Sequence, residues 1–99
     1  MGVHFSSGSD EWETPQDFFD MLERRFGKFE LDPCCTKENA KCGLFFTKED
    51  DGLTSHWEDY ERIFVNPPYS KVSDWVKKCV EEATDERLVV MLVPARTDT

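Results

Sequence analysis

Apolar residues recur along this chain with two different periods, and the places where the period changes mark its elements. In "ETPQDFFDMLERRFG", Phe18, Phe19, Leu22 and Phe26 fall on one side of a 3.6-residue repeat, which predicts an amphipathic helix. Its ends are punctuated. Thr14 is a favoured N-cap, Pro15 suits the first helical position, Asp17 complements the positive end of the helix, and Gly27 fits the stop. The run "KFELD" then reads as a short strand ending in Asp32-Pro33, and "RIFV" predicts a second strand. After it, Ser70 is placed to cap a helix over Lys71–Ala83, with Val72, Trp75, Val76, Cys79, Val80 and Ala83 on its buried face. "RLVVMLV" shows no alternation at all, the pattern of a strand covered on both faces of a parallel sheet.

Between these elements the pattern is weaker. "CCTKENAKCGLFF" fits a short helix around Lys37–Cys42 before a strand near Leu44–Phe46, and "TKEDDGLTSHWEDY" reads as loop with a turn at Asp51-Gly52. Residues 1–10 are polar and rich in Ser and Gly, which predicts a loose N-terminal arm ahead of one domain over residues 11–99. Strands alternating with helices imply right-handed crossovers and an α/β, doubly wound sheet. In such sheets ligands gather beyond the carboxyl ends of the strands, and both Asp32-Pro33 and Asn66–Tyr69 are expected there.

Composition adds limits. The 99 residues suffice for one small core, no apolar run reaches membrane-spanning length, and the N-terminus lacks the charge and apolar stretch of a signal peptide, so a cytoplasmic chain without membrane contact is expected. Asp and Glu number 21 against 12 Lys and Arg, a formal charge of −9, which argues against holding nucleic acid by charge alone. An enzyme with one basic groove stays compatible with that balance. Cys34, Cys35, Cys42 and Cys79 lack the paired spacing of a zinc knuckle, and His4 and His56 are distant in sequence, so free thiols and no metal are expected.

The sharpest chemistry lies in "RIFVNPPYS". Pro67 and Pro68 remove two backbone donors and fix two φ angles, and a residue before proline is biased away from helix, so Asn66 stands at a stiff corner. Its amide and the neighbouring carbonyls offer fixed acceptors, and Tyr69 offers a flat ring. Two acceptors beside a stacking face suit a planar group that carries an exocyclic amine, such as adenine. A proline turn with a surface Asn and a packed Tyr fits the same four residues taken alone.

The ordered set "DEWETPQDFFDMLERRFGKFELDPCCTKENAKC", "FFTKEDDGL", Trp57, "FVNPPYS", Trp75 and "VVMLVPARTDT" resembles the phage-encoded, Dam-like DNA N6-adenine methyltransferases, over about Asp10 to Thr99. NPPY also marks methyltransferases that act on RNA bases or protein glutamine; the ordered set is more specific. The resemblance implies a Rossmann-like methyltransferase sheet, S-adenosyl-L-methionine as cofactor and double-stranded DNA as partner. It implies that Asn66, Pro67, Pro68 and Tyr69 form the catalytic corner, with Asn66 and the Pro67 carbonyl holding the amino group and Tyr69 stacking on the base. It places Asp32, with Pro33, against the methionine part of the cofactor, in a loop that lacks the glycine-rich form common in methyltransferases. Trp12, Thr14 and Pro15 match a segment that closes the cofactor pocket, Thr14 serving equally as a helix cap. Asp50 and Asp51 match a polar run near the adenosine, and a solvated loop accounts for them as well. Members of that family continue past the segment matching "LVPARTDT", which implies a partial methyltransferase domain with an open sheet edge and a missing C-terminal fragment as candidate partner. A remnant that binds a partner or cofactor without turnover is the alternative from a different class.

Overall fold

The computed structural model describes residues 13–93. The expected arm over residues 1–10, Trp12 and the segment from Pro94 onward lie outside the described residues. Helix α1 runs Gln16–Phe26 and helix α2 Val72–Glu82; strands β1 (Leu31–Asp32), β2 (Leu44–Phe45), β3 (Arg62–Val65) and β4 (Leu88–Met91) form one sheet in the order β2-β1-β3-β4. Every pairing is parallel, with Leu31 opposite Leu44 and Ile63, and Ile63 opposite Val89. Parallel neighbours need crossovers, and α2 supplies the one from β3 to β4.

Side chains alternate across a strand, and β3 shows the result directly. Ile63 and Val65 join Leu31, Trp57, Trp75 and Cys79 on the α2 side, while Phe64 joins Phe19, Leu22 and Phe29 on the α1 side. The sheet is therefore covered on both faces, as a doubly wound order requires. On the α1 side the rings of Phe19 and Phe64 meet edge to face at 5.0 Å. On the other side Trp57, fully buried, stacks on Trp75 at 6.3 Å and donates its indole N–H to the Gly52 carbonyl at 3.1 Å.

Gly27 ends α1 as expected, at φ 98, where a side chain would press on Arg62. Other boundaries differ from the sequence expectation. Residues 37–42 form turns rather than a helix: Asp32 Oδ2 accepts from Lys41 N at 3.0 Å, an N–H that a helix would have directed to the Lys37 carbonyl, and the reciprocal Thr36–Asn39 bonds close a single turn. Ser70 does not cap α2; a 3₁₀ turn over Tyr69–Lys71 precedes the helix, closed by Lys71 N–H on the Pro68 carbonyl. The buried face of α2 is narrower than its apolar stripe. Trp75 and Cys79 point inward, and the flank beside them is taken by Lys78, whose ammonium lies 5.2 Å from the Trp57 ring centroid and 2.9 Å from Glu82. Val76 and Val80 turn outward and stay exposed, as does Ala83. β4 is likewise half-buried instead of enclosed, because it forms an edge of the described sheet.

Arg87 ties three elements together at this edge. Its Nε donates to the Tyr60 carbonyl, Nη1 to the Glu82 carbonyl and Nη2 to the Glu58 carbonyl, all within 2.9 Å. Arg87→Ala is expected to destabilise the fold by about 2–3 kcal/mol, since three carbonyls lose a charged donor. Arg87→Lys should recover little of this, because an ammonium cannot span a planar fork. Urea unfolding of the three proteins checks both statements.

Candidate active site

Asp32 closes β1 and Asn66 follows β3, its immediate neighbour, so parallel pairing brings them to the same end of the sheet. Between them opens a cavity of about 480 Å³, lined by Asp32, Pro33, Asn66, Pro67 and Pro68 among others. A volume of that size suits a ligand of small-molecule dimensions. The polar corner and the acidic strand end thus share one hollow.

The Asp32 side chain is 2% exposed. Oδ1 accepts from Cys34 N at 3.4 Å and Oδ2 from Lys41 N at 3.0 Å, so the carboxylate also pins the 34–41 loop. Burial pushes its pKa from 3.8 up to about 6, against the pull of those backbone donors. Cys35, whose thiol reaches the Asp32 and Phe46 carbonyls, is pushed up by burial and by the Asp32 charge. Burial likewise lifts Cys42 to about 12 and Cys79 to about 11, so these thiols stay protonated near neutrality. All four cysteines are free, and the described residues contain no cluster of three His, Cys, Asp or Glu side chains placed to hold a metal.

Asn66 is half-buried, and its Nδ2 donates to Thr14 Oγ1 at 2.9 Å. Thr14 is buried and lines the cavity; its hydroxyl serves this contact and not the N-cap, which Pro15 occupies without a side-chain bond. Pro15 itself is exposed and outside the cavity lining. Tyr69 is half-buried at the start of the 3₁₀ turn and also outside the lining. Asp51 reaches the cavity from a left-handed backbone at φ 57, whereas Asp50 does not, its carboxylate being turned back onto Thr47 N at 2.9 Å.

Sequence reasoning missed several wall residues. Lys41, Lys48 and Lys71 stand around the cavity together with Glu13, Asp32 and Asp51, so its rim carries charges of both signs. Trp75 and Phe64 look like pure core residues from periodicity, yet each also lines the cavity. Gly52 carries the only legible signal among them, an Asp-Gly turn, although the turn does not reveal that it is buried. No helix among the described residues is long and apolar enough to cross a membrane.

The chain is similar to two curated phage proteins. The DNA N-6-adenine-methyltransferase of Escherichia phage T1 is 36% identical over 90 residues, 91% of this chain and 38% of its own length. That of Haemophilus phage HP1 is 35% identical over 89 residues, 88% of this chain and 51% of its own length. The chain therefore spans about half, or less, of these relatives. No solved structure matches it. The family model described as DNA N-6-adenine-methyltransferase (Dam) matches residues 4–99, and by that match, nearly end to end, the chain belongs to this family.

Proposed function

We propose that the cavity between Asp32 and Asn66 is the catalytic pocket of a DNA adenine-N6 methyltransferase, built on part of a Rossmann-like sheet, with S-adenosyl-L-methionine as methyl donor. The observation that carries this is the meeting of an amide corner and a buried carboxylate in one hollow, in a chain of this family. The residues present fit the cofactor. Asp32 offers a negative group to its ammonium, the rim lysines offer positive groups to its carboxylate, and Leu53, Pro33 and Trp75 supply apolar wall. Bound there, the cofactor supplies an electrophilic methyl on a sulfonium.

The protein's own residues then handle the acceptor. An adenine that has left the duplex stack presents two amino hydrogens. The Asn66 carbonyl oxygen and the Pro67 carbonyl accept them, which draws the nitrogen lone pair out of conjugation with the ring and aims it. Fixed dipoles of this kind need no reorganisation during reaction, and the two prolines keep them fixed. Tyr69, which follows the cavity-lining Pro68 in the chain, is assigned the stacking face for the base.

The test is incubation of the chain with isotopically labelled cofactor and unmethylated duplex DNA, followed by nucleoside analysis. N6-methyladenine in DNA is the expected product. Transfer only to RNA adenine or to a glutamine amide, offered in parallel, overturns the acceptor, and cofactor binding without any transfer supports a non-catalytic role.

Cofactor affinity should also depend on pH through Asp32. Its folded pKa of about 6 lies above the ordinary 3.8, so the carboxylate is charged above pH 7 and neutral well below 6. Calorimetric affinity is expected to be greatest at about pH 7, to weaken about tenfold per unit below pH 6 as Asp32 is protonated, and to fall again above about pH 8 as the cofactor's α-ammonium loses its proton. The same shift acts on folding with the opposite sense: the folded state holds this proton more tightly, so its contribution to stability falls as pH rises through 4 to 6.

A further inference from the structure

We propose that Thr14 is a positioning residue whose hydroxyl, by holding the nitrogen end of the Asn66 amide, helps position that amide at the cavity wall. This rests on the acceptor role assigned to Asn66 above. An Asn amide has an acceptor end and a donor end of nearly equal size, and its terminal torsion has two broad wells. Only one well presents oxygen to an amine. In the other, an NH₂ would confront the substrate NH₂, donor against donor.

In the structure the nitrogen end is held, by donation from Nδ2 to Thr14 Oγ1 at 2.9 Å across 52 positions of sequence. The acceptor is itself well fixed. Thr14 is 3% exposed and lines the same cavity, its β-branched side chain has restricted χ1 freedom, and Pro15 after it restricts its backbone. Serving the helix cap would have turned the hydroxyl towards α1; Pro15 holds the cap position, and the hydroxyl bonds Asn66 instead.

The hydroxyl can also donate, so an inverted amide would still find a bond at Thr14. A test must therefore separate orientation from mere contact. Thr14→Val keeps shape and removes the bond; turnover should fall about tenfold to a hundredfold while KM for S-adenosyl-L-methionine moves less than about twofold. Thr14→Ser should restore most of the turnover. Thr14→Val combined with Asn66→Ala should be no slower than Asn66→Ala alone, because both act through one group. A rise in cofactor KM with unchanged turnover, or additive losses in the double variant, overturns the proposal.

If Asn66→Ala is itself without effect, it is the catalytic reading of Asn66 that fails. Nuclear magnetic resonance keeps the two questions apart and needs no activity. In the unmodified chain the Asn66 side-chain NH₂ should show a nuclear Overhauser contact to the Thr14 methyl and slow exchange with solvent, and exchange should accelerate in Thr14→Val if that variant folds. Absence of the contact in the unmodified chain overturns the proposal by itself.

Discussion

Asn66→Ala is expected to lower methyl transfer to DNA by about 10²–10³-fold, the loss typical of removing one preorganised hydrogen-bonding group from a reacting centre. Cofactor affinity should change less than about twofold, because Asp32 and the rim lysines, not Asn66, are assigned to the cofactor's charged groups. The fold should survive. The side-chain bond from Asn66 to Thr14 is worth about 1 kcal/mol net, small against the stability of a domain. The expected signature is therefore a split, with turnover collapsing while calorimetric binding and thermal midpoint stay near those of the unmodified chain. Equal turnover in the two proteins would remove the amide from the mechanism, and a parallel loss of binding would move Asn66 to the cofactor side of the cavity. Asn66→Asp sharpens the result. It keeps an acceptor of the same shape but cannot donate to Thr14, so retained turnover would show that an oxygen is what the site requires.

The placement of this corner was legible before any coordinates, for a reason that belongs to topology. An α/β alternation brings all strand ends of one kind to one rim, so a stiff bend after "RIFV" and an acidic end to "FELD" had to approach each other. The same logic found α1, with its stop at Gly27, and the core of α2. What failed was everything decided by competition between side chains and backbone. Asp32 takes the Lys41 N–H that a helix over residues 37–42 would have used, and Thr14 gives its hydroxyl to a residue far along the chain instead of to its own helix. Periodicity also reports an angular stripe without reporting what lies opposite it. Val76 and Val80 belong to the apolar stripe of α2 by pattern, yet the room beside Trp57 is filled by Lys78 and Glu82. The lysines of the cavity rim were invisible for the same reason: a net charge of −9 is a sum, and it does not say which side chains of either sign a cavity wall collects.

Gly52→Ala is expected to be the most damaging single-atom change in the described structure. Gly52 is buried and lines the cavity, and a Cβ there would run into the backbone carbonyl oxygen of Pro33 and approach the Trp75 ring to 2.9 Å. A long side chain could swing away from such a contact; a peptide carbonyl cannot. Relief requires moving one of two segments. If the 52 loop shifts, the Gly52 carbonyl leaves the Trp57 indole N–H, a 3.1 Å bond that holds a fully buried ring in its stack with Trp75. If Pro33 shifts, it carries Asp32 with it and opens the network that pins Cys34 and Lys41. Either route costs about 2–4 kcal/mol, at the upper end for overpacking a core, and lowers the thermal midpoint by about 10–20 °C for a chain of this size. Cofactor binding should weaken in parallel, since both routes deform the cavity wall. Gly43→Ala supplies the contrast: a Cβ at that position meets nothing within 4 Å, and the midpoint should hold or rise slightly because alanine restricts the unfolded chain. Thermal unfolding followed by tryptophan fluorescence reads both variants, and a Gly52→Ala protein that melts with the unmodified chain would show that the Pro33 and Gly52 backbones are not held in contact.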